Sequence, residues 1–372
     1  MNNRQKLIQQ RFLNNEQAII EELRRVYDEA LKEINEKIEN LSFSIGKLKQ
    51  EYDWLDPNDP ERAKIKSMIQ SKIYQKTYQE QLKKQVGDIL IKMQNNQFAS
   101  VSEYLDECYN DGYIGAFFDA HGQGIPIISP INQESMVRAI QIESKISTGL
   151  YTRLGKDVDR LKDLIASEIS RGISMGMTFK QVAKYIENQS RVGFNRAVRI
   201  ARTEGHRIQC ASAMDAMENA KSMGANVVKQ WDATLDARTR ESHAKIDQEI
   251  REIDEPFSNG LMYPGDPKGR AAEVVNCRCA ILQRARWALG GSFTKYNGFT
   301  KQIEEFNSPE DYEDFKKAFF SKENRNYMKY VEQMQDKYQT KDFRKVLGAM
   351  SDGEYKHYSD LLSKNPIYNK KP

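Results

Sequence analysis

Apolar residues recur every three or four positions through the first third of the chain. One series begins at Ile20 and keeps this spacing for roughly eight helical turns, with Glu and Lys filling the positions between. A turn sequence with two prolines, Leu55–Pro60, separates it from a second series between Ile65 and Met93. Because one apolar stripe on so long a helix must be covered by another helix, the pattern predicts a long helical hairpin, or coiled-coil-like region, over residues 1–108.

The pattern between residues 109 and 224 predicts a helical middle domain. Tyr109–Pro130 is rich in glycine, proline and aromatic residues and lacks the helical period, which predicts a loop. Helices are predicted near Val158–Arg171 and Thr178–Gln189, the second because it opens with the Thr-x-x-Gln form of a capping box. A longer helix, Gly193–Met223, is expected to end at Gly224.

After residue 224 the pattern changes to short, mixed elements. A strand is predicted at Asn226–Trp231, a helix at Leu235–Lys245 and a buried strand at Val274–Leu282. Residues 225–290 are therefore expected to form a small α+β domain, and residues 291–372 an aromatic, helical tail. The expected fold class is mainly α: a long N-terminal helical hairpin, a helical middle, this small α+β domain near the C-terminal third, and the tail.

The composition excludes several classes of protein. Of the 372 residues, 39% are hydrophobic and 30% are charged, the mean hydropathy is −0.75, and no run approaches the ~18–20 apolar residues of a membrane span. The first ten residues lack the apolar region of a signal peptide, and four cysteines are too few for a disulfide scaffold. We therefore expect a protein that is made in the cytoplasm and has no membrane partner.

The net charge of +4 lies in the tail, where Lys322–Pro372 carries eleven lysines and arginines against seven acidic residues. Aromatic residues are interleaved with these cations. Lysines neutralise phosphates and exposed aromatics stack on unpaired bases, although aromatics at such spacings are also typical of the core of small helices. The candidate DNA contacts of the tail are Lys329, Lys337, Lys341, Arg344, Lys345, Lys370 and Lys371.

A second candidate for DNA contact lies on the helix predicted at residues 193–223. Arg196, Arg199 and Arg202 follow one another at steps of three, which places them along one drifting face. Such a face is suited to phosphates and equally to ion pairs with acidic residues of a neighbouring segment. The sequence leaves both interpretations open.

An acid, a guanidinium and an imidazole recur on adjacent turns of the helix predicted at residues 235–245. Asp236, Arg240 and His243 suggest an alternative hypothesis, an enzyme with histidine as base and aspartate as its orienting partner. Arg202 and Glu204 would complete the site of such a nuclease or transferase. No nucleophile elbow and no glycine-rich phosphate loop accompany them, so no catalytic residue is assigned.

Complementary charge favours a structural role for the same residues. Asp236, Arg238 or Arg240 is predicted to pair with the preceding helix. Its expected partners there are Arg202 and Glu204. Such a network would lock the α+β domain to that helix.

The sequence Asn276-Cys277-Arg278-Cys279 carries two thiols two residues apart. Because alternate residues of a strand share a face, both cysteines are expected on a buried strand face, reduced and without metal. The alternative is a four-ligand zinc site in which His243 and one carboxylate join Cys277 and Cys279. The C-x-C spacing differs from the C-x₂-C of zinc ribbons, so zinc is the less favoured interpretation and no cofactor is predicted.

Four separated motifs together resemble a known family. The motifs are ARTEGHR at Ala201–Arg207, WDATLDARTRESH at Trp231–His243, PF and LMYPGD within Pro256–Asp266, and NCRC at Asn276–Cys279. Their order and spacing resemble those of the phage head morphogenesis family. These are the MuF-like minor capsid proteins of tailed phages, and the resemblance covers about residues 109–286. The motif residues in this sequence are Arg202, Glu204, Trp231, Asp236, Arg238, Arg240, His243, Asn276, Cys277 and Cys279.

The resemblance implies a structural protein of the virion. It implies a minor capsid protein that enters the procapsid beside the portal protein, contacts the portal and the packaged double-stranded DNA inside the head, and in some members leaves with the DNA at ejection. The scaffold or major capsid protein is a further implied partner, and the host cytoplasm is the expected location during assembly. Some larger relatives carry an enzymatic toxin as a C-terminal extension. A stand-alone, non-specific DNA-binding protein is the remaining alternative.

Overall fold

The computed structural model describes residues 3–57, 59–74, 76–123, 154–165, 167 and 179–368. Over these residues the chain is mostly helical, with a small sheet region in its C-terminal part. The expected fold class is confirmed. Within the same ranges no helix is both long enough and apolar enough to cross a membrane.

Three helices fill the first third of the chain: α1, Asn3–Trp54, α2, Pro60–Tyr74, and α3, Lys76–Gly122. The predicted proline turn separates α1 from α2, and Pro60 is the first residue of α2, where a missing N–H costs no helical hydrogen bond. The apolar stripe of α1 is buried at Ile20, Leu23, Tyr27, Ala30 and Ile34. It is covered by helix, as predicted, since Tyr27 of α1 donates a hydrogen bond to Gln97 of α3 at 3.5 Å.

Residues 154–165 form a further helix, α4, and α5 runs without a break from Phe179 to Ser222. The two helices predicted at residues 178–189 and 193–223 are therefore one helix. It ends where the sequence indicates: Gly224 has φ +89°, and its N–H donates to the carbonyl of Lys221 at 2.9 Å. The predicted capping residue Thr178 and the end of the helix predicted near residue 171 lie outside the described residues.

The prediction of a loop from Tyr109 onward is wrong for residues 109–122, because α3 continues to Gly122. Two of its tyrosines are buried against α5: the Tyr109 hydroxyl donates to Asp215 at 3.0 Å, and Asn219 donates to the Tyr113 hydroxyl at 2.9 Å. The residues that resembled a loop are thus a helix–helix contact surface. The rest of the predicted loop, residues 124–130, lies outside the described part of the chain.

The α+β segment contains an antiparallel three-stranded sheet. β1, Val227–Asp232, is central and pairs with β2, Ile250–Arg251, on one side and β3, Ala280–Ala285, on the other. Two short helices lie between the strands, α6 at Glu241–Lys245 and α7 at Ala271–Val274.

The helix predicted at Leu235–Lys245 is present only as its last turn, α6. Residues 235–240 instead form a turn in which the Asp236 carboxylate accepts hydrogen bonds from the backbone N–H groups of Arg238 and Thr239, at 2.9 and 3.0 Å. An aspartate that binds the backbone two and three residues ahead stabilises a turn in competition with the helix.

The strand predicted at Val274–Leu282 begins only at Ala280, the first residue of β3. Asn276 has φ +53°, in the left-handed region, which interrupts extended backbone. Cys277 and Cys279 are buried as expected. They lie in the loop before β3 rather than on a strand face.

The tail begins with a hairpin that the sequence pattern did not predict: β4, Phe293–Asn297, pairs with β5, Gln302–Phe306. Four helices follow, as expected for this region: α8, Pro309–Phe319, α9, Lys322–Lys337, α10, Phe343–Ala349, and α11, Asp352–Ser363. Each of the four begins at a serine or aspartate whose side chain accepts a backbone N–H, the usual N-terminal cap.

The tail aromatics form a hydrophobic core. Tyr312, Tyr327 and Phe319 are buried in one cluster with Leu235 and Ala237 of the α+β segment, and Tyr358 packs partly buried against it. Of the two interpretations that the sequence left open, the structure therefore favours core packing over base stacking for these residues. The tail and the α+β segment share this core.

The chain divides into two compact units: Met1–Phe12, Cys108–Ile131 and His206–Pro372 form one, and Leu13–Glu107 and Asn132–Gly205 form the other. The four domains expected from the sequence, 1–108, 109–224, 225–290 and 291–372, stay a prediction. The cysteine cluster and its surrounding ion pairs all belong to the first unit.

Candidate functional site

The loop that carries the two cysteines is held in place by the turn before α6. The Arg240 guanidinium donates to the carbonyl of Val275, and the Thr234 hydroxyl donates to the carbonyl of Arg278 at 2.7 Å. Both ends of residues 275–278 are therefore fixed by side chains that lie about 40 residues earlier in the chain. The side chains of Cys277 and Cys279, on either side of Arg278, are therefore held in fixed orientations.

An ion pair between the buried Asp236 and the partly exposed Arg278 reinforces this arrangement. Arg278 donates through both terminal nitrogens to the Asp236 carboxylate, with Nη2 2.8 Å from Oδ1. Burial alone would raise the pKa of Asp236, but the hydrogen bonds and charge of Arg278 lower it overall. Asp236 thus closes its own turn and anchors the cysteine loop with one carboxylate.

Three buried side chains converge between the loop and α6. The Nδ1 atom of His243 lies 3.3 Å from the sulfur of Cys279 and 3.6 Å from that of Cys277. The ligand-type atoms of the three residues all lie within 4.8 Å of one another. The indole of Trp231 packs edge-on against the imidazole, with ring centroids 5.2 Å apart.

The opposite edge of the His243 ring lies against the carboxylate of Glu273. Nε2 lies 2.9 Å from Oε2 of Glu273, and the same oxygen accepts a hydrogen bond from the Ser242 hydroxyl at 2.8 Å. Despite its short distance from Glu273, Nε2 makes no hydrogen bond, while Nδ1, the other ring nitrogen, faces the two sulfurs.

A second imidazole, His206 of α5, is buried and interacts with the Cys277 thiol. Its Nε2 atom is 3.8 Å from the sulfur of Cys210, one helical turn later. Burial alone would lower the pKa of His206, but interactions with Cys210 and Cys277 raise it well above its ordinary value.

The two thiols have different electrostatic surroundings. The hydrogen bond with Cys279 is the main reason that the pKa of Cys277 falls well below its ordinary value, and His206 and His243 lower it further. Burial raises the pKa of Cys279 well above its ordinary value. The pair therefore favours one thiolate, on Cys277, next to two imidazoles.

Sequence reasoning missed a second polar network, centred on Lys295 of β4. This lysine is buried and pairs with Asp232 and with Asp247, the latter at 3.0 Å. Asp247 also accepts the backbone N–H of Ala233 at 2.7 Å and the hydroxyl of Tyr312. The network joins the α+β sheet to the tail. The sequence did not predict it, because a single lysine among alternating residues does not indicate a buried ion pair.

The arginines predicted for DNA contact have mixed surroundings. Arg196 pairs with Asp157 at 3.1 Å and Arg202 pairs with Glu16 at 2.8 Å, whereas Arg199 is exposed. The ion-pair interpretation therefore holds for two of the three arginines.

The predicted pairing of Asp236 with Arg202 is wrong, because each has another charged partner. Asp236 pairs with Arg278. Of the two motif arginines next to it, Arg240 binds a backbone carbonyl and Arg238 is exposed. Glu204 is buried.

Among the tail cations, Lys337 pairs with Glu354 at 2.5 Å and Lys341 lies 3.4 Å from Asp336. Lys329, Arg344 and Lys345 are exposed. The remaining two candidates, Lys370 and Lys371, lie outside the described residues.

Comparison with known proteins places the buried cluster in a family region. Residues 163–282 match the family described as Phage Mu protein F like protein. This stretch is less than half of the chain, and it contains Asp236, Arg278, both clustered histidines and both loop cysteines. No solved structure matches the chain significantly.

Two curated relatives are similar to the chain. The Minor head protein GP7 of Bacillus phage SPP1 is 31% identical over 196 residues, which is 52% of this chain and 61% of that protein. The NAD(+)–arginine ADP-ribosyltransferase EFV of Enterococcus faecalis is 27% identical over 216 residues, 57% of this chain and 44% of the enzyme. The chain thus spans about half the length of these relatives. The resemblance seen in the four motifs is confirmed.

Proposed function

We propose that this chain, a member of the MuF-like head morphogenesis family through its Mu F-like region, is a minor head protein of a tailed phage. The observation that carries the proposal is its similarity to a phage minor head protein over 196 residues, together with the family match at residues 163–282. The geometry supports the same role, because Trp231, Asp236, His243 and both loop cysteines are buried and make structural contacts.

We place the protein inside the procapsid near the portal protein, with the scaffold or major capsid protein as a further partner. Packaged double-stranded DNA is its proposed contact in the mature head, and ejection with that DNA is the last step proposed. The family resemblance supports the portal and ejection steps, and the exposed tail cations support the DNA contact.

The enzyme hypothesis receives less support from the geometry. Asp236 is buried and bound in an ion pair with Arg278, and His243, which is 1% exposed, faces two sulfurs and a carboxylate. Arg202 is engaged by Glu16. One relative is a transferase, but this chain spans only 44% of that enzyme, so its activity is not transferred to this chain.

Co-expression with the portal, scaffold and major capsid proteins encoded beside it tests the head-protein role. We expect the full chain to sediment with the assembled procapsids, and to do so much less when the portal protein is omitted. A chain that stays at the top of the gradient in both cases would contradict the proposal. Equal incorporation with and without portal would contradict only the portal contact.

Binding to DNA is expected to be weak, independent of sequence and sensitive to salt. A triple variant, Lys329→Gln, Arg344→Gln and Lys345→Gln, should bind duplex DNA more weakly. If all three side chains neutralise phosphates, the log–log salt dependence should become shallower by about 2.7, that is, about 0.9 for each phosphate that is no longer neutralised. Fluorescence anisotropy at several salt concentrations measures both quantities.

The matched control removes three exposed cations that precede the basic stretch Lys322–Pro372, Lys245→Gln, Lys268→Gln and Lys317→Gln. It carries the same change in net charge and should keep most of the salt slope. Identical slopes for the two triple variants would remove these tail residues from the DNA contact. Attention would then pass to the exposed Arg199.

A further inference from the structure

We propose that the buried cluster around the C-x-C loop is a structural zinc site with Cys277, Cys279, His243 and His206 as its ligands. The sequence alone favoured reduced, metal-free cysteines in a strand. The structure instead places them in a loop that turns both sulfurs toward one imidazole nitrogen. The proposal concerns the fold of the Mu F-like region and is independent of the proposed function.

The distances in the cluster match those between ligands of one zinc ion. With Zn–S near 2.3 Å and Zn–N near 2.0–2.1 Å, neighbouring nitrogen and sulfur ligands of a tetrahedron lie about 3.6 Å apart. His243 Nδ1 lies 3.3 Å from the sulfur of Cys279 and 3.6 Å from that of Cys277. Both nitrogen–sulfur distances are therefore close to those of a tetrahedral zinc site, and the two sulfurs lie within 4.8 Å of each other.

The carboxylate behind the histidine has the place of an outer-shell partner. Metal-bound histidines usually donate their second ring N–H to a carboxylate or carbonyl, which fixes the tautomer and the ring orientation. Glu273 lies 2.9 Å from Nε2 of His243 and is itself held by Ser242. Nδ1 is the nitrogen placed to bind the metal, because it faces both sulfurs.

His206 supplies the fourth ligand. It is buried, it interacts with the Cys277 thiol, and it reaches the cluster from α5, which is separate from the elements that hold the other three ligands. Gly265 packs against it: a Cβ at this position would lie 3.6 Å from the imidazole Cδ2 and 3.2 Å from the backbone of Arg207.

Charge balance favours a metal over a plain cysteine core. Two thiolates and two neutral imidazoles around Zn²⁺ form a site of zero net charge, which suits a buried position. Without a metal, the neighbours of His243 Nδ1 and His206 Nε2 are sulfur atoms, which are weak hydrogen-bond partners for buried nitrogens. Zinc would also join α5 to the cysteine loop, which explains why distant motif residues meet here.

The primary test is the metal content of the full chain purified without chelator, measured by elemental mass spectrometry. We expect about one zinc per chain in the natural protein and less than a tenth of that in Cys277→Ser and Cys279→Ser. Cys108→Ser alters a buried cysteine of α3 outside the cluster and should retain the zinc. A folded natural protein without stoichiometric zinc, which also takes up none from a zinc buffer, would overturn the proposal.

A second measurement needs no variant and is therefore unaffected if the cysteine variants do not fold. Co²⁺ added to the metal-free full chain should give the absorption of a tetrahedral ion together with thiolate-to-cobalt charge-transfer bands, and zinc should displace both. A spectrum of six-coordinate cobalt without charge-transfer bands would contradict the site. His206→Gln should weaken zinc binding at least tenfold, and unchanged affinity would overturn the four-ligand set.

Discussion

Replacing Lys295 with alanine is expected to lower the free energy of unfolding by about 3–5 kcal/mol. Its ammonium group is buried between the carboxylates of Asp232 and Asp247. Removing it leaves Asp247, which is also buried, without its cation. The large effect comes from this unpaired charge rather than from the value of the ion pair itself.

Chemical denaturation of the full chain, followed by circular dichroism and by tryptophan fluorescence, measures the change. Lys317→Ala is the matched control, since Lys317 is exposed and pairs with the exposed Asp314, and such pairs contribute little. Tyr312→Phe removes one hydroxyl that donates to Asp247 and should cost about 1–3 kcal/mol. If Lys295→Ala and Lys317→Ala lower the free energy of unfolding by the same amount, the Lys295 network does not stabilise the contact between the sheet and the tail.

Asp236→Ala is expected to cost about 3 kcal/mol of stability. The substitution removes the partner of Arg278 and also the acceptor for the two N–H groups of the turn at Arg238 and Thr239. Arg278 is partly exposed, so water compensates part of this cost. Asp236→Asn should cost less, because the amide oxygen still accepts from the turn.

The contribution of Asp236 should also depend on pH with a defined sign. Its pKa in the folded protein is lowered by Arg278, so its stabilising contribution is complete above the pKa of an unfolded aspartate. It is lost as the pH falls through the lower, folded pKa. The destabilisation caused by Asp236→Asn should therefore become smaller in acid. A destabilisation that grows as the pH falls would contradict the ion pair between Asp236 and Arg278.

Periodicity predicted the long helices because they carry a continuous apolar stripe. It failed at residues 109–122, where glycine and aromatic residues suggested a loop. In the structure Gly112 lies where a Cβ would come within 2.1 Å of the Ser212 hydroxyl on α5, so this glycine serves close helix packing. A single sequence contains no record of which distant helix approaches.

The motifs identified which residues matter but not their partners. The expected partners of Asp236 lay on the ARTEGHR helix, whereas its actual partner is Arg278, between the two cysteines. One left-handed residue, Asn276, interrupts the strand predicted at Val274–Leu282. In the loop that forms instead, both thiols face His243. Local pattern cannot supply such a long-range pairing, since it depends on how the 235–240 turn folds over the loop.

The role as a minor head protein is best tested by quantitative mass spectrometry of purified heads from the phage or prophage that encodes this chain. The heads are treated with protease before lysis, which leaves only proteins inside the shell. We expect the full chain inside the heads, protected from the protease, at a small and constant number of copies relative to the portal protein. Its absence from heads, in cells where it is abundant in the soluble fraction, would contradict that role.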